Sequence, residues 1–567
     1  MLSFKRLMYL VVAVAALGCA FLAYGIVSGQ SAATSSGGED APRRDFVEAG
    51  KVAEGDKPQV WVLGDSKDAR LKDIRDNVSR FCDDAHLAAS DSKRLDVGAV
   101  GAQDVVVVCD ESIGEYADAE ELERFVAEGG RVVMAAGLAE GDGDSSLWPV
   151  LGIRGKGARC ACEELEFEQP FLPVQPQKTR YGGSIDAVSV EVVEDANVYV
   201  RDAESGTPVL YTLEWGKGEV CVINGSFLAD VRCMGLLTGA IGAILPDFIY
   251  PILGVKAVFL DDFPSAGASY DELCQKLYGY SAEGFVREEV WGSFQGLSLR
   301  TETPLTSSVV AVSSSRQGFE DASDTLFMAV GKSVLQFGGE LAYASDCSDN
   351  TQVVFDQELI DRLSSTFAGY SFQGLALETD AFSSKMTAVP DADIRFVRGM
   401  LDGDEARLSC RNGLTVFPAA TEGASMEDGS LFEVCSVLGS YGMVSHVFDV
   451  EELIATDDGA AVWDSSKEQI GLFESEVLSR ATWLEGRTLS QTGDDVKSYM
   501  DLDYGWTRNG DRLELDCKGA VKGQAFFYRT DARIVDAEGL TYQDAGNGYY
   551  LLRIQGGHAE IALEERG

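Results

Sequence analysis

Two adjacent carboxylates, Asp261 and Asp262, end the run Gly254-Val-Lys-Ala-Val-Phe-Leu-Asp-Asp-Phe-Pro-Ser-Ala-Gly267. Val255 to Leu260 has the length and β-branched content of a buried strand, and Pro264, Ser265 and Gly267 supply the turn that stops it. Neighbours on a strand point to opposite faces, so at its end one carboxylate can hold a metal while the other takes a proton. Strand ends of parallel α/β folds carry such sites, although an Asp-Asp pair also serves as a plain turn or helix cap. A second apolar run, Gly442-Met-Val-Ser-His-Val-Phe-Asp449, delivers Ser445, His446 and Asp449. A third, beginning at Glu340, delivers Asp346, Cys347 and Asp349. Ser445, His446 and Asp449 lie too close on one strand to align as a nucleophilic relay. Only His86, His446 and His558 exist, which excludes any centre that needs several imidazoles.

The elements that must position these groups follow from the chain order. The 567 residues exceed a single core and call for about three domains. Residues 1–6 read as a cytoplasmic tail and 7–27 as an uncharged apolar transmembrane anchor, long enough at about 1.5 Å per residue to cross the ~30 Å hydrocarbon layer. Lys5 and Arg6 precede the run and acidic residues follow it. The expected product is a single-pass cell-membrane protein with its N-terminus inside and its bulk extracellular. A cleaved signal peptide is the competing reading, but its apolar region is normally shorter. Residues 28–57 have the composition of a flexible linker.

Residues 58–250 alternate strand and helix: Pro58 to Asp65, a helix over 68–87, Asp104 to Asp110, a helix over 119–128, then Arg131 to Ala136. A strand pair at 209–224 and a helix over 227–245 complete the unit. The pattern predicts a parallel sheet and is similar to flavodoxin-like or amidotransferase-like folds. No glycine-rich phosphate loop or nucleophile elbow is present, and Cys109 at a strand end reads as a core thiol. Residues 251–505 carry short apolar runs, including 305–313, Phe327 to Gly331, 340–345 and 392–398. They predict a distorted β/α barrel, whose strand ends share one face and let distant residues converge. Residues 506–567 alternate between turns such as Asn509-Gly and Asn547-Gly and predict a small antiparallel β module.

The net charge of −45, from 47 basic and 92 acidic residues, opposes contact with phosphate backbones and excludes nucleic acid as a partner class. Twelve cysteines with no CxxC pair give no structural zinc pattern.

The motifs Val-Phe-Leu-Asp-Asp-Phe-Pro-Ser and Gly-Met-Val-Ser-His-Val-Phe-Asp, in this order over residues 58 to 505, resemble an uncharacterised bacterial family of the DUF2194 type. That family is distantly related to NodB-like polysaccharide deacetylases and associated with Pel-type exopolysaccharide systems. The resemblance implies a polysaccharide-deacetylase-type barrel, with Asp261 as general base, Asp262 as metal ligand, and His446 as general acid oriented by Asp449. It further implies a divalent metal, most often zinc, that polarises an acetyl carbonyl. The sequence departs from the family at the two remaining ligand positions, where histidines are replaced by Ala342-Tyr-Ala-Ser-Asp-Cys-Ser-Asp349. Asp346 and Asp349 offer oxygen ligands for a harder ion in their place.

Two functional classes follow. One is an extracellular deacetylase acting on N-acetylhexosamine units of an exopolysaccharide. The other is an inactive relative that binds glycan or organises an export or synthase complex. A partly deacetylated, cationic polymer would complement the acidic chain under either reading.

Overall fold

The computed structural model describes residues 55–565 apart from 56, 66, 144, 265–270, 311–323, 346–356, 378–392, 402–407, 412, 428 and 455–460. The expected anchor at 7–27 and nearly all of the expected linker lie outside the described residues. Among the described residues no helix is long and apolar enough to cross a membrane.

The first unit holds strands β1 Gln59–Leu63, β2 Ala88–Ser92, β3 Val105–Val108, β4 Arg131–Met134, β5 Ile153–Phe167, β6 Lys178–Val192, β7 Asn197–Asp202, β8 Pro208–Trp215 and β9 Gly218–Ile223. They form one sheet in the order β2-β1-β3-β4-β9-β8-β7-β5-β6. The first five positions are parallel, as predicted, and follow the flavodoxin-like order. Both faces of this part are buried. Val105, Val107 and Val133 join one core beneath helix α1 (Ala69–Asp84), and Val106, Val108 and Val132 join another beneath α2 (Ala119–Ala127). Near-continuous valine runs are what a two-sided parallel sheet requires. The long β5–β6 hairpin was not legible in the sequence, because its residues are largely solvated and its register is broken by three irregularities. The helix predicted over 227–245 resolves into two short 3-10 turns followed by α3 (Met234–Ile244).

The next strand, β10 Asp247–Ile252, leaves this unit and pairs with the C-terminal module. The second unit contains β11 Val255–Asp261, β12 Leu305–Val310, β13 Glu340–Ser345, β14 Gly374–Leu377, β15 Phe396–Met400, β16 Ser409–Arg411, β17 Leu414–Ala419, β18 Thr421–Glu422, β19 Met443–Asp449 and β20 Glu485–Gly486. Parallel pairing runs β17-β15-β14-β13-β12-β11-β19. Ala420 alone separates β17 from β18, and β18 pairs with β19. The curved sheet therefore returns to its own edge, where Ala420 N–H donates to the Ser445 carbonyl at 3.2 Å. Around it lie α4 (Trp291–Thr301), α5 (Asp324–Gln336), α6 (Gln357–Thr366), α7 (Ser430–Tyr441), α8 (Trp463–Phe473) and α9 (Leu489–Met500). The predicted strand at Phe327 is instead part of α5. Leu326, Phe327, Val330 and Val334 are its buried apolar side chains among the described residues, and their spacing is helical.

The N-terminus of α9 seals the lower, N-terminal end of the ring. Its first turn carries a capping box of Thr488 and Gln491. Leu489 N–H donates to Thr306 Oγ1 at 2.9 Å, and Ser490 N–H and Oγ donate to Glu340 at 2.8 and 2.5 Å. A carboxylate is well placed at a positive helix end.

The C-terminal strands β21 Asp503–Asn509, β22 Arg512–Lys518, β23 Ala525–Thr530, β24 Arg533–Glu538, β25 Leu540–Gly546, β26 Tyr549–Ile554 and β27 His558–Glu564 are antiparallel, as predicted. They make two four-stranded sheets, one of which recruits β10. Asp247 ties that recruit in place, accepting from Arg508 and Tyr528 at 2.5 Å and from Thr530 at 3.0 Å. The module thus draws on residues on both sides of the boundary expected at 250.

Small residues hold the first unit against the ring. Gly235 of α3 lies so close to the Ser436 carbonyl of α7 that a Cβ would collide with it. Thr238 Oγ1 and Tyr250 Oη both donate to the Gly439 carbonyl, at 3.1 and 2.5 Å.

Candidate functional site: the upper end of the parallel ring

Strand β11 is buried along its whole length and ends in a sharp turn. Asp262 takes a left-handed backbone (φ 55°), and the Phe263–Pro264 peptide is cis. The turn is fastened to β12, with Phe263 N–H donating to the Ser308 carbonyl at 3.3 Å and Ser307 Oγ donating to the Phe263 carbonyl at 2.6 Å. Asp262 is 1% exposed.

Alternation along β11 sends Phe259 and Asp261 into the ring. Phe259 meets Phe417 of β17 there, with centroids 6.4 Å apart, and Arg398 of β15 lies over the Phe259 ring at 5.2 Å. Arg398 Nη2 donates to Asp261 Oδ2 at 2.6 Å, and the two residues are 0% and 5% exposed. The guanidinium fixes the carboxylate's orientation and compensates its charge in a dry interior. The other oxygen, Asp261 Oδ1, has no hydrogen-bond partner among the described residues, nor do Arg398 Nε and Nη1 or Ser308 Oγ. Each buried polar atom left in that state costs about 1–3 kcal/mol. Arg398 was not singled out from the sequence. The available signal was one arginine inside Phe396-Val-Arg-Gly-Met, a buried strand in which a cation needs a carboxylate.

His446 does not join this cluster. It pairs with Val258, three residues before Asp261 on β11 and on the opposite face. Its ring packs on Phe448 and on Phe473 of α8, outside the ring of strands, at centroid distances of 4.4 and 5.0 Å. Nε2 lies 3.0 Å from the Gly423 carbonyl and Nδ1 lies 2.8 Å from Thr421 Oγ1. A neutral imidazole protonated at Nε2 satisfies both, donating to the carbonyl and accepting from the hydroxyl. Burial lowers its pKa to about 3, against a raising effect of the Gly423 hydrogen bond. Burial therefore favours the neutral over the cationic imidazole. The structure thus places His446, the expected general acid, apart from Asp261, as a buried residue hydrogen-bonded to Thr421 and Gly423.

Asp449 pairs in register with Asp261 across β19 and β11. It does not orient His446, whose two nitrogens meet Thr421 and Gly423. Asp346 and Asp349 lie outside the described residues. Among the described residues no three His, Cys, Asp or Glu side chains gather as a metal site. Cys109 is a buried core thiol whose pKa burial pushes far up, as expected for an inert cysteine.

Fold and site together define a mixed α/β protein whose curved parallel sheet carries a buried Asp–Arg pair at its upper end. Residues 65–338 match the model of a family described as "Uncharacterised protein conserved in bacteria (DUF2194)", the family named by the motifs above. No curated protein matches the chain. Solved structures similar to parts of it include a β-galactosidase from Bacillus circulans sp. alkalophilus, 16% identical with a TM-score of 0.24. That match covers 35% of this chain and 34% of that one, so the chain spans about a third of the enzyme's length. A putative ThuA-like protein from Bacteroides uniformis is 11% identical with a TM-score of 0.25, covering 33% of this chain and 86% of that one. The cytoplasmic protein STM1381 from Salmonella typhimurium LT2 is 12% identical with a TM-score of 0.26, covering 33% and 99%. Scores at this level transfer neither fold nor function.

Proposed function

We propose that this protein handles an exopolysaccharide at the upper end of its parallel ring, as a membrane-anchored, extracellular relative of NodB-like deacetylases whose hydrolytic site is degenerate. Its partners are the polymer, the membrane and subunits of a Pel-type export system. One observation carries the preference for binding over hydrolysis: Asp261 is paired to Arg398 inside the ring, while His446 lies on the other face with both nitrogens engaged. The absence of the two histidines from the sequence supports the same reading.

The enzymatic alternative, a deacetylase with Asp261 as base and Asp262 on a divalent metal, has one observation in its favour. Asp261 Oδ1 is left without a partner and offers a lone pair to an incoming proton. Acetate release from acetylated hexosamine oligomers, measured with metal content on wild type and Asp262→Ala, separates the two. Binding reads as oligomer retention with no acetate from either protein. Acetate that disappears in Asp262→Ala would overturn the binding-only reading.

A further inference from the structure

Strand β6 is the last strand of its sheet and, among the described residues, pairs only with β5. Phe167 N–H donates to the carbonyl of Gln177, the residue before β6, at 2.9 Å. Backbone groups of alternate residues turn the same way in an antiparallel ladder, so Thr179 faces β5 while Lys178 and Arg180 face the open side. Elsewhere this edge is covered. The Asn224 side chain takes both the N–H and the carbonyl of Val188, at 3.1 and 2.7 Å. Gly429 of the ring lies so close to Gly182 that a Cβ on it would collide with the Gly182 backbone. At Lys178 and Arg180, among the described residues, the outward groups meet one donor, Thr179 Oγ1, which reaches the Arg180 carbonyl at 3.3 Å. An open strand edge is a template for another strand.

The open stretch borders a cleft of about 650 Å³ between the β5–β6 hairpin and the ring. Apolar side chains line its floor: Pro176 before β6, Met426 after β18, Leu431 of α7 and Leu472 of α8. Tyr181, on the same face of β6 as Thr179, packs on Phe432 of α7, so that face looks onto the ring. A strand laid along Lys178 to Arg180 therefore turns alternate side chains onto the floor, where Met426 adapts to apolar shapes, and sets the others beside Lys178 and Arg180. The charges narrow the occupant. Glu164, across from Arg180, is drawn to Lys178 at 2.7 Å, and Arg180 has no ion pair among the described residues. An incoming carboxylate there completes an opposite-charge pair across the strands. A second copy of the chain would instead bring another net charge of −45 against the first.

We infer that this cleft docks an extended segment of a partner polypeptide, which adds a strand to β6 at Lys178 to Arg180, sets apolar side chains on Met426, Leu431 and Leu472, and places a carboxylate beside Arg180. The inference needs no part of the polysaccharide reading and stands or falls apart from it. The probe is a fluorescent nine-residue peptide in which valine alternates with glutamate and lysine, titrated against the full chain by anisotropy. It is expected to bind. Methylating one alternate set of its backbone nitrogens should weaken binding at least tenfold, while methylating the other set leaves it within twofold, because a strand presents only one set to β6. Arg180→Pro removes an outward N–H without touching the ladder to β5, and Leu472→Lys charges the floor; each should weaken binding at least tenfold. The methylated peptides act on the unaltered protein and decide alone should either variant fail to fold. No peptide binding, or equal binding of the two methylated peptides, overturns strand addition. A hexosamine tetramer that binds wild type but not Leu472→Lys, with no peptide binding, overturns it in favour of a saccharide in the cleft. Self-association that Arg180→Pro abolishes overturns it in favour of a second copy.

Discussion

Asp261 and Arg398, 137 residues apart in the chain, meet inside the ring at 2.6 Å, and neither side chain reaches solvent to any useful extent. Ion pairs in such places are costly to form and costlier to break, because removing one partner strands the other's charge. Arg398→Met is therefore expected to destabilise the protein by roughly 3–5 kcal/mol, and Asp261→Leu with Arg398→Met to recover much of that loss. Urea unfolding of the two single variants and the double variant measures the coupling. A loss in the double variant equal to the sum of the two single losses would show that the pair contributes no mutual compensation.

His446 should make stability fall with acid. Its folded pKa, about 3, lies below the ordinary histidine value of 6.5, so the unfolded chain takes up a proton that the folded chain refuses. The contribution is complete above pH 6.5 and drains away as pH falls toward 3, on the order of 1 kcal/mol per pH unit. Replacing His446 by Gln should flatten this slope by one proton relative to wild type. Parallel slopes between pH 6.5 and 4.5 would count against a neutral buried imidazole.

At position 262 the backbone sets a preference that can be read apart from the carboxylate. A left-handed conformation costs a Cβ-bearing residue about 1 kcal/mol or somewhat more and costs glycine almost nothing. Both Asp262→Gly and Asp262→Ala remove the side-chain charge, so their difference isolates the turn. The glycine variant should be the more stable by about 1 kcal/mol, a difference that thermal or urea unfolding resolves.

Glu340 caps the helix that seals the lower end. Burial raises its pKa, while the hydrogen bonds from Ser490 and Thr488 pull the other way. Glu340→Ala leaves the Ser490 N–H without its acceptor and should cost about 1–3 kcal/mol, with Glu340→Gln losing less because its carbonyl still accepts. Hydrogen exchange of the first turn of α9 should rise in the alanine variant. Unchanged protection there would mean that the carboxylate does not hold the helix.

Much of the architecture is legible in the chain because local pattern and burial coincide. Valine runs such as Val105 to Val108 are buried on both faces, and the turns at Asn509-Gly and Asn547-Gly separate true antiparallel strands. Where the two part company, the sequence misleads. Phe327 to Gly331 is too short a window to distinguish strand from helix, and only the longer spacing out to Val334 declares α5. The β5–β6 hairpin is largely solvated, so it carries little hydrophobic period to detect.

By itself the sequence determined that two carboxylates end a buried strand and that a parallel α/β region surrounds them. Periodicity and composition are local properties, and these conclusions need nothing more. Only the tertiary structure decided which distant residue each group meets. Curvature of the ring brings Arg398 to Asp261, strand parity turns His446 to the opposite face, and Ala420 joins two pairings that close the sheet. A histidine three residues away in register faces the other side because successive side chains on a strand alternate, whereas an arginine on a strand far along the chain comes within hydrogen-bonding reach because the sheet curves.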